Sequence, residues 1–400
     1  MTHASTMPSL SKPRSAAQAY FATCPRGLEA LVAQELERAG AAEIQRTTSG
    51  VAFSGNPETC YRANLCSRFA TRILRRVAIE PYRNEQHVYD VAYDVGWHRL
   101  FGPEQSIRVD VNAVRSPLRS LDFVTLRIKD AVCDRFRAET GRRPNVDTRD
   151  PDVRVHGFLD SDSVTLYVDT SGDPLYKRGY RTHRTDAPLK ENLAAGIIAL
   201  AAWDPAEPLL DPMCGSATLL IEAAMMALGV APGLGRSFGF ESLTDFDRPL
   251  WDRIRTGARS AERREFPLAL FGSDQLGREV EGARANVEAA GLAQRIAIKQ
   301  AQATDLRPPT RVPGLIVMNP PYGVRLGEKE QLATLYPQLG DWLKQHFPGW
   351  RCCIFSGDPA LPRGIRLQPS RRTPLYNGPI ECRLYEYRLV AGSMRRKKPE

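Results

Sequence analysis

Leu315-Ile316-Val317-Met318 is an uninterrupted apolar run, ended at once by Asn319-Pro320-Pro321. A strand buried on both faces has this form, and two prolines stop it and fix the backbone beyond. Around it, short apolar runs alternate with longer stretches whose apolar positions recur at three- and four-residue steps. Strands are predicted at 209–210, 268–272, 295–300, 315–318 and 351–356, and helices at 189–203, 217–228, 250–265, 276–291 and 332–347. A polar, Gly-rich excursion spans 229–246, and a predicted antiparallel pair, 371–376 and 381–389, turns at Asn377-Gly378. Strand–helix alternation of this kind builds an α/β, Rossmann-like, mostly parallel sheet.

The first half has a different rhythm. A strand at 20–23 leads to a helix opened by Pro25, carrying Leu28, Leu31, Val32 and Leu36 on one face and ended by Gly40. A strand at 51–53, a helix at 57–65 and a strand at 73–79 complete a small α+β segment. A second α+β unit has a strand at 107–111, a helix at 122–140 and a hairpin, 153–158 with 164–168, turning at Asp160-Ser161-Asp162-Ser163. The expected division is a disordered leader (1–17), an α+β segment (18–80), a second α+β domain (81–170, with 50 as an alternative start), a basic linker (171–188), the α/β domain (189–391) and a basic tail (392–400).

Charge adds a hint about partners. The net charge is +9, with 28 Lys+Arg against 23 Asp+Glu in residues 1–190 and 27 against 23 after them. An evenly basic chain suits a polyanion, and equally suits plain solubility. The clusters Arg72/Arg75/Arg76, Arg115/Arg119/Arg127 and Arg135/Arg137/Arg142/Arg143 are either solvated faces or contacts to a nucleic-acid backbone. Lys177, Arg178, Tyr180 and Arg181 mix cations with an aromatic ring, as an RNA-stacking strand or a linker would. The eight cysteines form no C-x-x-C pair and the six histidines no H-E-x-x-H, so a metal site is not expected. With no signal-peptide core and no membrane span, the expected location is the cytoplasm.

Candidate chemistry lies at strand ends, where open α/β sheets bind ligands. Asp211-Pro212-Met213-Cys214-Gly215-Ser216-Ala217 is neither G-x-G-x-x-G nor a P-loop. Its small residues and strand-end carboxylate suit a positively charged ligand, such as the amino-acid part of S-adenosylmethionine (SAM); a tight turn N-capped by Ser216 is the alternative. Asp274 fits a ribose diol or a helix cap. Asp305 fits an adenine amino group or an ordinary loop. In the Asn319 turn, the Asn319 amide oxygen and the Pro320 carbonyl can accept both hydrogens of an exocyclic amino group, with Pro321 holding the turn and Tyr322 offering a stacking face.

Taken together, D-P-x-C-G-S-x-T (211–218), G-S-D (272–274) and N-P-P-Y-G (319–323) resemble the motifs of class I SAM-dependent methyltransferases that modify amino groups. Pro188 to Ala195, Leu219 to Ala224, Phe238-Gly239-Phe240 and Tyr376-Asn377-Gly378 with Cys382 narrow the likeness to THUMP-domain RNA guanine-N2 methyltransferases. Nearest in kind is the N-terminal half of the bacterial RlmL-type enzyme acting on 23S rRNA. The resemblance implies a ferredoxin-like segment and a THUMP RNA-binding domain in front, SAM as methyl donor, rRNA or a large-subunit assembly intermediate as partner, and cofactor roles for Asn192, Asp211, Pro212, Cys214, Gly215, Ser216, Asp274 and Asp305. The same family methylates guanine-N2 in tRNA, and N-P-P-Y also serves adenine-N6 chemistry. Ala217 stands where the family usually has glycine; a helical φ is expected there, because an L-residue at positive φ is strained.

Overall fold

A computed structural model describes residues 17–183, 189–321 and 328–390. Residues 1–16 of the expected leader, 184–188 of the expected linker (Pro188 among them), Tyr322 and the whole expected tail lie outside them.

The front half contains β1 (Gln18–Thr23), α1 (Glu29–Arg38), β2 (Ala42–Thr47), β3 (Gly50–Gly55), α2 (Pro57–Cys66), β4 (Arg72–Pro81), α3 (Glu85–Asp94), β5 (Ile107–Ala113), α4 (Leu121–Thr140), β6 (Val153–Leu159) and β7 (Ser163–Asp169). Its strands form one seven-stranded sheet, ordered β2-β3-β1-β4-β7-β6-β5. Neighbours are antiparallel except β5 and β6. Because β4 pairs with both β1 and β7, the two α+β segments share a single sheet. Sequence patterning did not predict β2, since five of its six residues are exposed and it carries no apolar alternation. Nor did it predict α3, which buries only Val88 and Ala92.

The back half contains α5 (Glu191–Leu200), β8 (Leu209–Asp211), α6 (Thr218–Ala227), α7 (Arg248–Ser260), β9 (Leu270–Asp274), α8 (Gly277–Ala289), β10 (Ile296–Gln300), β11 (Leu315–Met318), α9 (Glu328–His346), β12 (Arg351–Ser356), α10 (Leu361–Gly364), β13 (Arg371–Asn377) and β14 (Ile380–Arg388). Its sheet is ordered β10-β9-β8-β11-β12-β14-β13, parallel through β12 and antiparallel thereafter. The unbroken apolar run of β11 has its reason here. Leu315 and Val317 enter one core, and Ile316 and Met318 enter a second with Leu339, Trp342 and Leu343. All four are fully buried, each contributing about 1.5–3 kcal/mol.

The first of these cores continues into the front half, taking in Tyr20, Leu28, Val51 and Phe136 along with Leu193 and Ile221. Residues 171–183, expected as part of a basic linker, are instead a strap across this joint. Arg178 and Tyr180 are each 5% exposed, which corrects the expectation that they contact RNA. Arg178 Nε lies 3.4 Å from Glu222 Oε1 on α6, and its Nη2 donates to the Arg68 carbonyl at 2.6 Å. Tyr180 Oη donates to the same Glu222 oxygen at 3.0 Å, and Arg68 Nη2 reaches the Val230 carbonyl at 2.6 Å. Lys177 alone of the four remains exposed, paired with Asp173 at 3.1 Å.

The 229–246 excursion completes the joint. Phe240 stacks on Tyr61 of α2 with ring centroids 4.3 Å apart, and Phe238 and Trp251 close the cluster. Arg75 of β4 pairs with Asp245 at 2.6 Å. The aromatic residues of this insertion therefore bury themselves against the front half.

Candidate active site

Parallel pairing brings the carboxyl ends of β8, β9, β10 and β11 to one edge of the back sheet. Every candidate turn found in the sequence leaves from that edge. Asp211 closes β8 and is 1% exposed, with one hydrogen-bond partner among the described residues, the Met213 N–H at 3.1 Å. Burial, and then neighbouring Asp274, push its carboxyl pKa up to about 8. A buried carboxylate is costly until a cation joins it. This donor set fits a ligand bearing an ammonium group.

The next residues bare the backbone. Pro212 accepts from Ser273 Oγ at 3.3 Å, and the Cys214 N–H donates to the Ser273 carbonyl at 2.9 Å. Burial drives the Cys214 thiol well above its ordinary range, with Asp211 and Asp274 adding to the effect, so it is a neutral wall and not a nucleophile. Gly215 has φ +48°, and a Cβ there would meet no atom within 4 Å. Its open side leaves a ligand room to approach the main chain.

Asp274 joins the two turns. Its Oδ2 accepts from the Gly215 N–H at 3.1 Å and its Oδ1 from the Leu276 N–H at 3.0 Å. A carboxylate has further acceptor capacity beyond these two bonds, which a pair of ribose hydroxyls can use. The N-cap of α8 is Leu276, so Asp274 is not itself the cap.

Ser216 is not the cap of α6 either. That position is Ala217, and Ser216 Oγ lies 3.0 Å from Thr218 Oγ1. Ala217 has φ +60° and ψ +21°, overturning the expected helical φ. The cause is the tightness of the turn: the Ala217 N–H donates to the Cys214 carbonyl at 2.8 Å, while its own carbonyl already accepts from Ile221. The left-handed conformation costs an alanine about 1–2 kcal/mol.

Arg181, expected on RNA, holds this turn from behind. It donates to Thr218 Oγ1 at 3.1 Å, Ser216 Oγ at 3.3 Å, the Leu189 carbonyl at 2.8 Å and Glu191 at 2.9 Å. Sequence reasoning missed this buttress and Glu222, because an arginine beside tyrosines reads the same on a surface as in a joint. Asn192 is fully buried, and its Nδ2 serves the front half through Thr71 Oγ1 at 3.1 Å and the Phe69 carbonyl at 3.4 Å. Its Oδ1 is left without a partner among the described residues. Asp305 is exposed at the end of the short 3-10 turn Ala303–Asp305, beyond β10.

At the end of β11, Asn319 is half-buried and its Oδ1 is a buried acceptor with no partner among the described residues. Leaving such an acceptor unpaired costs about 1–3 kcal/mol. Pro320 is buried and Pro321 exposed.

A parallel sheet closed by an antiparallel pair, with a bare acidic turn after its first central strand and an acidic residue ending the next, defines a SAM-dependent methyltransferase of Rossmann-like fold. The chain belongs to the RMKL-like methyltransferase domain family, matched over residues 178–386. A THUMP domain matches at 82–169 and an RlmL ferredoxin-like domain at 19–74.

Among its relatives, Ribosomal RNA large subunit methyltransferase K/L of Methylococcus capsulatus is 42% identical across 92% of this chain and 50% of its own length. The chain thus spans about half the length of that relative. The protein slr0064 of Synechocystis, named provisionally as an RNA methyltransferase, is 37% identical across 96% of this chain and 100% of its own. The structure of SMU.472 complexed with SAH, the product form of SAM, superposes with TM-score 0.85 at 31% identity, covering 94% of this chain and 99% of that one.

Proposed function

We propose that this chain transfers the methyl group of SAM to the exocyclic N2 amino group of a guanine in large-subunit (23S) ribosomal RNA. The observation that carries this reading is the buried Asn319 Oδ1 at the end of β11, which has no partner among the described residues. With the Pro320 carbonyl beside it, this oxygen gives the chain two acceptors for two amino hydrogens. Holding both turns the nitrogen lone pair away from the turn, in the orientation that attack requires. SAM, when bound, supplies the electrophilic methyl. Asp211 is proposed to receive its ammonium group, Asp274 its ribose, Asp305 its adenine, and the Gly215 backbone its closest approach.

No strong base is needed, because the amine becomes acidic only as its nitrogen is alkylated. The protein's contribution is orientation and fixed acceptors. The choice of rRNA is supported by the K/L relatives at about 40% identity and by the THUMP match. Guanine-N2 in tRNA and adenine-N6 are the competing substrates; a protein of known structure from Listeria monocytogenes, 29% identical, is named a predicted N6-adenine-specific DNA methylase.

Labelled SAM supplied with 23S rRNA, tRNA and duplex DNA, followed by nucleoside mass spectrometry, separates them. The expected product is N2-methylguanosine from 23S rRNA alone. Methyladenosine, or label confined to tRNA or DNA, overturns the proposal.

A further inference from the structure

The docking of the two halves leaves a cleft of about 320 Å³ between them. Its walls are the β1–α1 loop with Arg26, Thr71 at the foot of β4, Lys190 ahead of α5, and the β13–β14 turn from Tyr376 to Gly378. Arg26 and Lys190 are both exposed, and neither has a carboxylate partner among the described residues. Each instead rests on an aromatic face: the Arg26 guanidinium lies 4.6 Å from the Tyr376 ring centroid, and Lys190 Nζ lies 5.0 Å from that of Tyr176. Side chains parked on rings are positioned without being neutralised.

The cleft opens where the proposed chemistry is. The register of β14 on β12 runs from Arg388 opposite Arg351 to Arg383 opposite Ser356. The β13–β14 turn therefore projects beyond the carboxyl end of β12, on the same edge as Asn319. Lys190 follows Leu189, whose carbonyl is held by Arg181, and Arg181 also holds Ser216 in the turn after β8. The wall is firm, since at Gly27 (φ +98°) a Cβ would come within 2.7 Å of the Pro374 carbonyl.

We propose that this cleft is a seat for the RNA strand beside the target base, with Arg26 and Lys190 taking its phosphates and Tyr376 offering a ring to a neighbouring base. Two unneutralised cations with aromatic rings fit a single-stranded polyanion that carries π-faces. An acidic peptide would use the cations but leave Tyr376 without a stacking role. The inference rests on the proposed RNA substrate, and its test reads binding separately from methylation.

The probe is a 23S rRNA transcript, titrated into the full chain with SAH present, across a range of salt. Arg26→Gln with Lys190→Gln should weaken binding at least about tenfold and flatten the log K against log salt slope by about 1–2. Tyr376→Phe should bind as wild type, and Tyr376→Ala should bind several-fold more weakly. SAH affinity and melting temperature should not move in any of these variants. Unchanged RNA affinity and slope in the double variant, with the fold intact, overturns the seat, as does selective loss of binding to an acidic peptide. If wild type ignores rRNA but binds tRNA or single-stranded DNA, the rRNA reading fails, and the same variants then judge the cleft with that nucleic acid.

Discussion

The two sheets each have seven strands, and they do opposite things with them. In the front sheet nearly every neighbour is antiparallel, so strand ends alternate between edges and no edge collects chemistry. In the back sheet five parallel strands point one way, and their ends place Asp211, Asp274 and Asn319 along a single edge. Strand direction, not strand count or composition, separates the half that presents a surface from the half that presents a site. Yet the halves are not independent, because one hydrophobic core runs through both and Arg178, paired with Glu222 of the back half, also donates to the Arg68 carbonyl of the front half.

The largest expected effect tests that continuity. Glu222→Gln strips Arg178 of its counter-charge inside the joint, where breaking a buried pair costs about 3–5 kcal/mol. Denaturant unfolding should show a much lower midpoint and still a single transition. Two transitions would make the halves separate bodies and undo the comparison. Next comes Asn319→Ala, which should lower kcat about 100- to 1000-fold, the scale of losing one preorganised polar contact to the reacting group. SAH affinity, measured by calorimetry, should stay within twofold, because Asn319 serves the β11 end and not the β8 turn.

A smaller effect follows from Asp211. Its carboxyl pKa is raised, so without ligand the folded chain keeps this proton up to about pH 8, whereas an unfolded carboxyl loses it near pH 4. The sign is therefore that of a group whose burial disfavours folding progressively as pH climbs from about 4 through 8. A cationic ligand binds the ionised form, so SAM affinity should rise from pH 6 toward 8, by no more than about tenfold per unit from this proton. Asp211→Asn should bind SAM more weakly and lose that component of the slope. The smallest effect belongs to Ala217→Gly. Relief of left-handed strain, about 1–2 kcal/mol, is offset by a lost buried methyl of about 0.8 and by the greater freedom of unfolded glycine. Thermal unfolding should shift by less than about 1 kcal/mol.

How far the sequence foretold all this divides along the same line. Buried strands such as Leu315–Met318 announce themselves, because two covered faces demand a continuous apolar run. The strand-end turns were legible too, since Asp211, Gly215 and Asp274 sit where periodicity changes. The joint was not. Arg178 and Tyr180 carry the residue types of an RNA contact, and only the packing of Glu222 and Arg68 around them reveals a pin. Ala217 misled for the opposite reason: its own preference is helical, and the geometry of the turn overrides it.

The pin also has a consequence for how the chain is made. β7, which completes the front sheet, ends at Asp169, whereas the carboxylate that pairs with Arg178 is Glu222. A ribosome adding about 5–20 residues per second needs some 3–10 s to cover that interval of about 50 residues. From the translation of Arg178 until that of Glu222, every strand of the front sheet has been made while Arg178 still lacks its acid. Each nascent chain therefore passes through a brief stage more basic at the joint than the finished enzyme, and release from it waits on the translation of α6.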